Sequence, residues 1–597
     1  MRLYHIRYLR ARLAAWVVGL FEIETCHSCP LRVALPSQHR HHSPCQKSEL
    51  EIKCMEIDVR EVIVSIAVAR KESQWVLLWS ILIIGLTCLP YLYACLVASE
   101  DVQFMGLLSN PMDGNSYLAK MRQGAQGSWL FHLPYTPEDH DGAFIFTYYL
   151  FLGRLAVLLG LPLILTYHLA RVVNSLILLF VAHFFVSLFG LDRWSRRTAF
   201  LLIGLSSGLG WLAVPFNVFA PDLWVPEAIT FYSIFANPHF PLAVALMLLT
   251  FAFVMAPLQA QSEDGQPEAW SSVRRGSILA GLCSLLLGIV QPFCVVTVYS
   301  VLGGYFILCL LKETRLPRPQ ILKGAVAGAV TVPIIAYDYY VYTFNPVLHA
   351  WSEQNITLSP PLWTYALAYG FVLALAVGGA VLAIKRRSKA DLFLLAWVIV
   401  NGLLLYAPFS LQRRLVTGLH VPLCVLAAMS LVRYLLPRVS PARRTLILGA
   451  VIVLTMPSNL FVLTASMAGA VQQDPRLYLY RGEAEAMTWL KENTQPTDIV
   501  LASPEMGLFI PAWVGNRVLY GHPFETIEAK KKRALVEAFY QVQTEESIRQ
   551  GIIESHHITY VFYGPRERAL SRGQLETAPL LSEAYTNPGV TIYKLAH

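Results

Sequence analysis

Long apolar runs alternate with short polar segments along most of the chain from Trp75 onward. Runs of about 20 apolar residues are typical of helices that cross a membrane. Helices are the plausible spans because lipid cannot satisfy backbone polar groups, and the alternating pattern of barrel strands is absent. The pattern predicts about eleven transmembrane helices. Their approximate cores are residues 75–98, 165–189, 198–217, 238–257, 276–294, 296–311, 321–342, 362–384, 391–408, 415–434 and 445–467.

Lysine and arginine are distributed unevenly between the predicted spans. They cluster in alternate loops, as at 193–197 and 433–444, whereas the loops 218–236 and 344–363 contain none. Basic loops of membrane proteins face the cytoplasm. We therefore predict a cytoplasmic N-terminus, and we place the first outer loop, residues 99–164, and the C-terminal segment on the opposite side.

The apolar run from Phe144 to Leu161 lies inside the first outer loop. If it crossed the membrane, the basic segment 193–197 would face outward, and Arg154 would enter lipid at a high energetic cost. We therefore predict that this run forms an amphipathic or re-entrant helix within the loop.

The pattern changes after about Gln472, where helix and strand signals alternate. Such alternation predicts a small α/β domain. The predicted strands are residues 498–502, 516–520, 560–563 and 590–595. The predicted domains are a basic and disordered N-terminal tail at residues 1–74, a membrane domain at 75–471, and an extracytoplasmic α/β domain at 472–597.

Composition supports an α-helical polytopic membrane protein. Hydrophobic residues make up 55% of the chain and charged residues 14%, whereas soluble domains carry about 25% charged residues. The formal net charge of +8 comes largely from the short loops that set topology. No basic stripe with interleaved aromatic residues lies outside the membrane part, so nucleic acid is not a predicted partner.

A polar stretch that begins at Asn110 follows the first predicted span directly. It carries a lone acid, Asp113, with Tyr117 four residues later, and a turn with Gly127 and Trp129 after a short predicted helix. An acidic, half-buried loop at a membrane surface is costly unless it has a chemical role. Asp113 is therefore the predicted catalytic residue.

Four cations lie on the outer side, against the general charge pattern. Lys120 and Arg122 belong to the first outer loop, and Arg413 and Arg414 lie at the outer start of the tenth predicted span. An anionic phosphate is a natural partner for such residues. Snorkelling toward lipid headgroups is the alternative, and the sequence does not separate the two.

Further candidates for substrate binding are acidic residues and histidines. Glu138, Asp139 and Asp141 could bind sugar hydroxyls or, at Glu138 and Asp139, a divalent cation such as Mg²⁺ or Mn²⁺, although a solvated loop is favoured. Glu227 and His239 precede the fourth span, and they line a cavity or serve the helix start. His522 and Glu525 either touch a substrate or cap a helix that begins at Ile527, and capping is favoured. All these residues are read from the sequence.

These features together resemble the GT-C superfamily, whose polytopic glycosyltransferases use polyprenyl-phosphate-linked sugars. In its protein-mannosyl and aminoarabinose transferase branches the first outer loop reads roughly P-D-E-x-x-Y, then a helix, then G-x-W. Here P-M-D-G-N-S-Y places Asp113 at the acid position and Tyr117 at the tyrosine, but Gly114 replaces the second acid. The next span begins near Arg171, as in the family, and the resemblance implies that Tyr117 and Arg171 contact the substrate.

The resemblance implies a membrane enzyme that moves a sugar from a polyprenyl-phosphate-linked donor to a lipid, glycan or protein acceptor. It implies Asp113 as general base and Arg413 and Arg414, with Lys120 or Arg122, as stabilisers of the phosphate. It implies no certain cofactor. A bacterial plasma membrane is the expected location. The alternatives are a transporter or flippase, and an assembly protein in which Asp113 is dispensable.

Overall fold

The computed structural model describes residues 59–255, 270–313, 317–571 and 581–595. Residues 67–597 form one compact unit. Most of the predicted N-terminal tail lies outside the described residues. The last part of the predicted tail, from Val59, is helical, because the first helix begins at Val59.

The membrane part is built almost entirely from helices. In chain order its elements are α1 (Val59–Leu96), β1 (Val102–Phe104), α2 (Pro111–Ala125), α3 (Thr147–Leu159), α4 (Leu163–Ser187), α5 (Arg193–Leu205), α6 (Pro221–Trp224), α7 (Thr230–Ala236), α8 (His239–Met255), α9 (Trp270–Val290), α10 (Phe293–Glu313), α11 (Arg318–Phe344), α12 (Pro346–Gln354), α13 (Leu362–Arg386), α14 (Lys389–Leu404), α15 (His420–Ser430), α16 (Pro441–Leu454) and α17 (Pro457–Val471). Short 3₁₀ segments at Gly210–Phe216, Pro226–Ala228, Gln412–Val416 and Leu436–Arg438, and a π segment at Leu431–Leu435, extend or connect them.

Every predicted span coincides with a helix, but not every helix is long enough to cross a membrane. In the described part of the chain, eight helices meet that requirement, and nine do if the bent pair α16 and α17 is one span. The expected number of about eleven is therefore too high by this measure. The difference lies in α8 and α14, which have 17 and 16 residues. At 1.5 Å per residue the 16 residues of α14 fall short of a hydrocarbon core of about 30 Å. The helix α8 is described only as far as Met255, where the described range ends.

The apolar run after Phe144 forms α3, a helix of 13 residues that is too short to span a membrane. This confirms the prediction of a helix within the first outer loop. Arg154 on α3 lies over the ring of Trp129, 4.5 Å from its centroid, and bonds the carbonyl of Gly127. The predicted Gly/Trp turn therefore holds α3 through a cation–π contact.

The C-terminal part contains a small mixed sheet. Its elements are β2 (Tyr478–Tyr480), α18 (Arg481–Asn493), β3 (Ile499–Leu501), α19 (Pro504–Trp513), β4 (Arg517–Val518), α20 (Ala529–Tyr540), α21 (Glu546–Ser555), β5 (Ile558–Tyr563), α22 (Pro565–Ser571), β6 (Leu581–Thr586) and β7 (Thr591–Leu595). The strand order is β4-β3-β5-β7-β6. The first three strands are parallel and the last two pair antiparallel, so all four predicted strands are present and β6 is added.

The C-terminal part is packed directly on the first outer loop. β1 pairs antiparallel with β2, with Gln103 opposite Leu479. One hydrophobic cluster contains Leu118 and Met121 from α2 together with Phe509 from α19. The loop that carries Asp113 is therefore held between the helical part and the C-terminal sheet.

Candidate functional site

The helix α2 begins directly before the predicted acid. Asn110 precedes it in a left-handed conformation, with φ 47°, and Pro111 occupies its first position. Proline suits this position because its missing N–H would have no partner there. The Asn110 amide donates a hydrogen bond to the Asp113 carboxylate. A Cβ on Gly114 would lie 2.9 Å from the Leu107 side chain, so an acid at this position would require Leu107 to move.

Asp113 faces a histidine of the C-terminal part. The His522 Nε2 atom lies 3.6 Å from Asp113 Oδ1, and the Asp113 side chain is 42% exposed. The His522 Nδ1 atom accepts hydrogen bonds from the backbone N–H groups of Phe524 and Glu525, each at 3.2 Å. Because Nδ1 is an acceptor, the ring proton belongs on Nε2. His522 therefore presents an N–H donor to Asp113.

The surroundings of Asp113 favour its ionised form. Burial acts to raise the pKa of its carboxyl, but contacts with His522, the charge of Arg414 and the hydrogen bond from Asn110 outweigh burial and hold the pKa below its usual value. An ionised carboxylate can accept a proton at neutral pH. The position therefore satisfies the first requirement of a general base.

Lys120 lies two turns after Asp113 on α2, and its charge is paired. The Lys120 Nζ atom donates to Glu525 Oε1 at 2.8 Å and to Ser116 Oγ at 2.5 Å, and its side chain is 1% exposed. Ser116 also donates to Glu525. The Lys120 ammonium lies 4.5 Å from the centroid of Phe146. Lys120 therefore joins α2 to the C-terminal part, and its charge is already balanced by Glu525.

The segment 520–527 carries both contacts to α2. Gln354, at the end of α12, donates to the backbone carbonyls of Phe524 at 3.1 Å and Thr526 at 2.8 Å. The capping interpretation of His522 and Glu525 is wrong, because α20 begins at Ala529 and its N-cap, Glu528, makes no side-chain capping bond. Their side chains point to Asp113 and Lys120 instead.

A cavity of about 470 Å³ is lined by Tyr117, which lies one turn after Asp113 on α2. Tyr117, His239 and Arg414 line it, and Arg414 is the single Lys or Arg among the described lining residues. The Tyr117 ring stacks on Tyr149 with centroids 4.5 Å apart, and the Tyr149 hydroxyl bonds His239 Nδ1 at 2.6 Å. Much of the remaining wall is apolar and comes from α9, α10 and α11. The cavity therefore has one cationic side chain in a wall that is otherwise largely apolar.

The two predicted arginines differ in placement. Arg414 lies 5.7 Å from the centroid of Phe293 at the cavity wall, whereas Arg413 lies over the ring of Trp224 at 4.6 Å and is not part of that wall. Burial raises the pKa of Glu227, and the charges of Arg414 and Arg413 offset this only in part. Glu227 therefore lies within the electrostatic reach of both arginines and of Asp113.

Two predicted substrate contacts lie away from this cavity. Arg171 is buried, and its guanidinium donates to Thr87 Oγ1 and to the Ile234 carbonyl, both at 3.1 Å. These hydrogen bonds connect α4 to α1 and α7. Arg122 lies on another face of α2, where it lines a separate groove with Lys491 from α18. Neither residue lines the cavity that Tyr117 lines.

The second acidic group of the first outer loop is bound to the C-terminal part. Glu138 contacts Lys532 and Thr136, and Asp139, which is 91% exposed, pairs with Arg517 at 2.6 Å. Asp141 is exposed and lines a different, open pocket. Within the described ranges, no group of three or more His, Cys, Asp or Glu is placed to hold a metal ion. Glu138 and Asp139 are therefore each paired with a basic residue of the C-terminal part.

Three polar residues of the cavity wall were not predicted from the sequence: Gln291, Asp338 and Trp351. Asp338 lies within α11, a helix apolar enough to span a membrane. Ionisable residues in such segments are rare, and this rarity was the available signal for Asp338. Gln291 and Trp351 carry no comparable signal, because amides and indoles are common at the ends of spans.

No family model matches the chain, and no curated protein matches it significantly. Several solved structures share its fold. ArnT from Cupriavidus metallidurans has 13% sequence identity and a TM-score of 0.53, covering 88% of this chain and 98% of that chain. The oligosaccharyltransferase of Archaeoglobus fulgidus has 14% identity and a TM-score of 0.52, covering 82% and 69%. The mycobacterial arabinofuranosyltransferase AftD has 16% identity and a TM-score of 0.52, covering 87% and 41%.

These neighbours are GT-C membrane glycosyltransferases. The identities are too low to carry over an activity, since one fold can host several functions. The chain therefore has a GT-C-like fold, with 8–9 candidate membrane spans and a small mixed C-terminal sheet.

Proposed function

We propose that the protein is a membrane glycosyltransferase that moves a sugar from a polyprenyl-phosphate-linked donor to a hydroxyl of a lipid, glycan or protein acceptor. The observation that carries this proposal is a carboxylate, Asp113, that lies one helical turn from a cavity with a largely apolar wall and within the electrostatic reach of the cavity's one described cation, Arg414. A lipid-linked phosphate needs such a combination, because its head is anionic and its tail is hydrocarbon.

Asp113 is the proposed general base. It accepts the proton of the acceptor hydroxyl as the oxygen attacks the anomeric carbon. The new bond joins that oxygen to the anomeric carbon, and the bond from the anomeric carbon to the phosphate oxygen breaks. A single displacement needs one base, so Gly114 in place of a second acid is compatible with it. The His522 N–H keeps the carboxylate oriented and ionised.

Arg414 is the proposed stabiliser of the leaving phosphate. Negative charge grows on the phosphate oxygen as the bond to the sugar breaks, and a fixed guanidinium favours that charge. Arg413 lies beside Arg414 but is stacked on Trp224, so it acts through the local field rather than by contact. Lys120 is excluded from this role because Glu525 and Ser116 bind its ammonium.

Two structural neighbours support the substrate class. An ArnT structure from Cupriavidus metallidurans contains undecaprenyl phosphate, and it has a TM-score of 0.50 with this chain. A structure of the Archaeoglobus fulgidus oligosaccharyltransferase carries a tethered acceptor peptide, also at a TM-score of 0.50. Related folds thus accept a polyprenyl phosphate in one case and a protein segment in another. A bacterial plasma membrane, with Asp113 and the C-terminal part on the outer face, is the proposed setting.

The test is sugar transfer by purified protein from radiolabelled polyprenyl-phosphate sugars, with mixed lipid and peptide acceptors. We expect turnover by the wild type and a loss of at least about a hundredfold in Asp113→Asn, because amide nitrogen cannot accept the proton. Asp101→Asn is the matched control, since it removes a carboxylate from an exposed position of the same loop.

Equal turnover by Asp113→Asn and wild type would remove Asp113 from the mechanism. A lipid-linked donor that crosses a vesicle membrane with its sugar still attached, in both proteins, would favour a flippase instead. Thermal unfolding of each variant in detergent separates a chemical defect from a folding defect.

A further inference from the structure

The cavity lined by Tyr117 and Arg414 contains polar groups that the proposed mechanism does not use. Among its described lining residues, Asp338 is the single carboxylate, as Arg414 is the single cation. In the described part of the chain, Asp338 makes no hydrogen bond or ion pair, although it is half-buried. A carboxylate without a partner in a largely apolar cavity is unfavourable unless a ligand supplies donors.

Gln291 is a second unpartnered polar residue of the same wall. It lies between α9 and α10, is 2% exposed, and neither its amide nitrogen nor its amide oxygen has a partner among the described residues. Buried polar atoms in proteins are nearly always hydrogen-bonded. Gln291 lies two residues before Phe293, which contacts Arg414. One donor group and one acceptor group are thus placed close to the proposed phosphate ligand.

Trp351 and Tyr342 connect Asp338 to the rest of the site. The buried Trp351 Nε1 has no partner among the described residues, and the Trp351 ring lies 5.8 Å from the ring of Tyr342. Tyr342 follows Asp338 by one helical turn. Its hydroxyl interacts electrostatically with Asp338, Arg414 and Glu525. The wall from Asp338 to Arg414 is therefore continuous, and it ends beside α2.

We propose that Asp338, Gln291 and Trp351 form the subsite that binds the hydroxyl groups of the donor sugar. This inference rests on the proposed function and adds the residues that select the sugar. The Asp338 carboxylate accepts hydrogen bonds from hydroxyls, Gln291 both donates and accepts, and the Trp351 N–H donates. A polyprenyl tail offers no hydrogen-bonding group, so it cannot satisfy these atoms. The tail fits the apolar remainder of the cavity instead.

The sugar subsite predicts a preference that a bare phosphate site would lack. We would measure dissociation constants for undecaprenyl phosphate alone and for undecaprenyl phosphate linked to each of several hexoses and pentoses. The wild type should bind at least one sugar-bearing donor more tightly than bare undecaprenyl phosphate. Asp338→Asn should reduce that preference by about tenfold, because it replaces an oxygen that accepts hydrogen bonds by an NH₂ group that only donates, and should leave the affinity for the bare lipid phosphate within about twofold.

Gln291→Leu provides a second variant with a distinct readout. It removes a buried amide that has no described partner, so thermal stability should hold or rise while the preference for the sugar falls. A residue that served only the fold would show the opposite change in stability. Glu353→Gln is the matched control, because it removes a carboxylate that is 70% exposed on the neighbouring helix α12.

The outcomes separate the subsite from the function. If the wild type binds bare undecaprenyl phosphate but no attached sugar improves binding, the subsite is refuted and the proposed function stands. The subsite is also refuted if Asp338→Asn keeps the full preference of the wild type. If the wild type binds neither kind of lipid, the proposed function fails, and the subsite fails with it.

Discussion

The helix α2 makes two contacts between an acidic and a basic side chain, and the two contacts differ in how exposed they are. At its start, Asp113 faces His522 at 3.6 Å and keeps 42% of its side chain exposed. Two turns later, Lys120 bonds Glu525 and Ser116 and is 1% exposed. Both partners, His522 and Glu525, come from the same short segment of the C-terminal part.

The two contacts therefore differ in access: the Asp113 carboxylate is open to a ligand, whereas the Lys120–Glu525 pair is closed. The Asp113 carboxylate retains oxygen lone pairs that an acceptor hydroxyl can reach, because His522 Nε2 lies 3.6 Å from Oδ1 and 42% of the Asp113 side chain is exposed. The Lys120 ammonium has no such freedom, since removing either partner would leave a buried charge. The segment 520–527 therefore contacts the proposed base through His522 and fastens the loop through Glu525.

The largest effect on stability should come from breaking the closed pair. Lys120→Met leaves Glu525 buried without its cation, and the free energy of unfolding should fall by about 3–5 kcal/mol. Chemical or thermal unfolding in detergent measures this. The double variant Lys120→Met with Glu525→Gln should recover much of the loss, because neither charge remains.

The matched control for that experiment is Lys531→Met, which breaks the exposed pair with Glu528. Exposed pairs contribute at most about 1 kcal/mol, so its effect should be small. Equal losses in the single and the double variants would show that the charge pair is not what stabilises α2 against the C-terminal part.

A smaller effect, on activity rather than stability, should come from the open contact. In His522→Asn the amide oxygen can replace Nδ1 as acceptor for the Phe524 and Glu525 N–H groups, but the donor to Asp113 is lost. The pKa of Asp113 should then rise, because His522 helps to hold it low. The acid limb of the pH profile of kcat/KM should move to higher pH, and kcat at neutral pH should fall by about tenfold.

The KM for the donor should change little in His522→Asn, since this residue does not line the cavity. His557→Asn changes an exposed histidine of the C-terminal part and is the control. An unchanged pH profile in His522→Asn would show that His522 neither orients nor ionises Asp113.

The smallest expected effect is the pH dependence of the stability contributed by the Lys120–Glu525 pair. Burial acts to raise the pKa of Glu525, but Lys120, His522 and Ser116 outweigh it, and the net pKa is lowered. A carboxyl with a lowered pKa stabilises the fold above its unfolded pKa of about 4.3, and this contribution is lost as the pH falls through the folded pKa. The stability advantage of the wild type over the Lys120→Met, Glu525→Gln double variant should therefore shrink in acid. Unfolding curves between pH 7 and pH 3 would check this, and a constant advantage would contradict it.

Much of the architecture could be predicted because its signals are local. An apolar run such as that of α13 identifies a spanning helix without knowledge of its neighbours. The four C-terminal strands were predicted for the same reason, and the short helix α3 followed from the charge pattern around it. The predicted count of about eleven exceeds the count by helix length because α14 has 16 residues and α8 is described over only 17.

The candidate site was predictable only in part. The acid at Asp113 stood out from its position after the first apolar run, which is a local property. The partners His522 and Glu525 did not, because Ser116 and Glu525 are separated by 409 positions. Capping was favoured for them because nearby residues are the default partners in any reasoning from spacing.

The sequence by itself determined a helical membrane protein with an acidic first loop and an α/β C-terminal part, since hydrophobic periodicity acts along the chain. The packing of distant segments leaves Asp113 partly exposed and Arg414 in the cavity wall. The same packing places the charges of Lys120, Glu138 and Arg171 in contacts with other segments. The physical reason is that a side chain's charge is local, whereas its burial and its partner come from distant segments that pack against it.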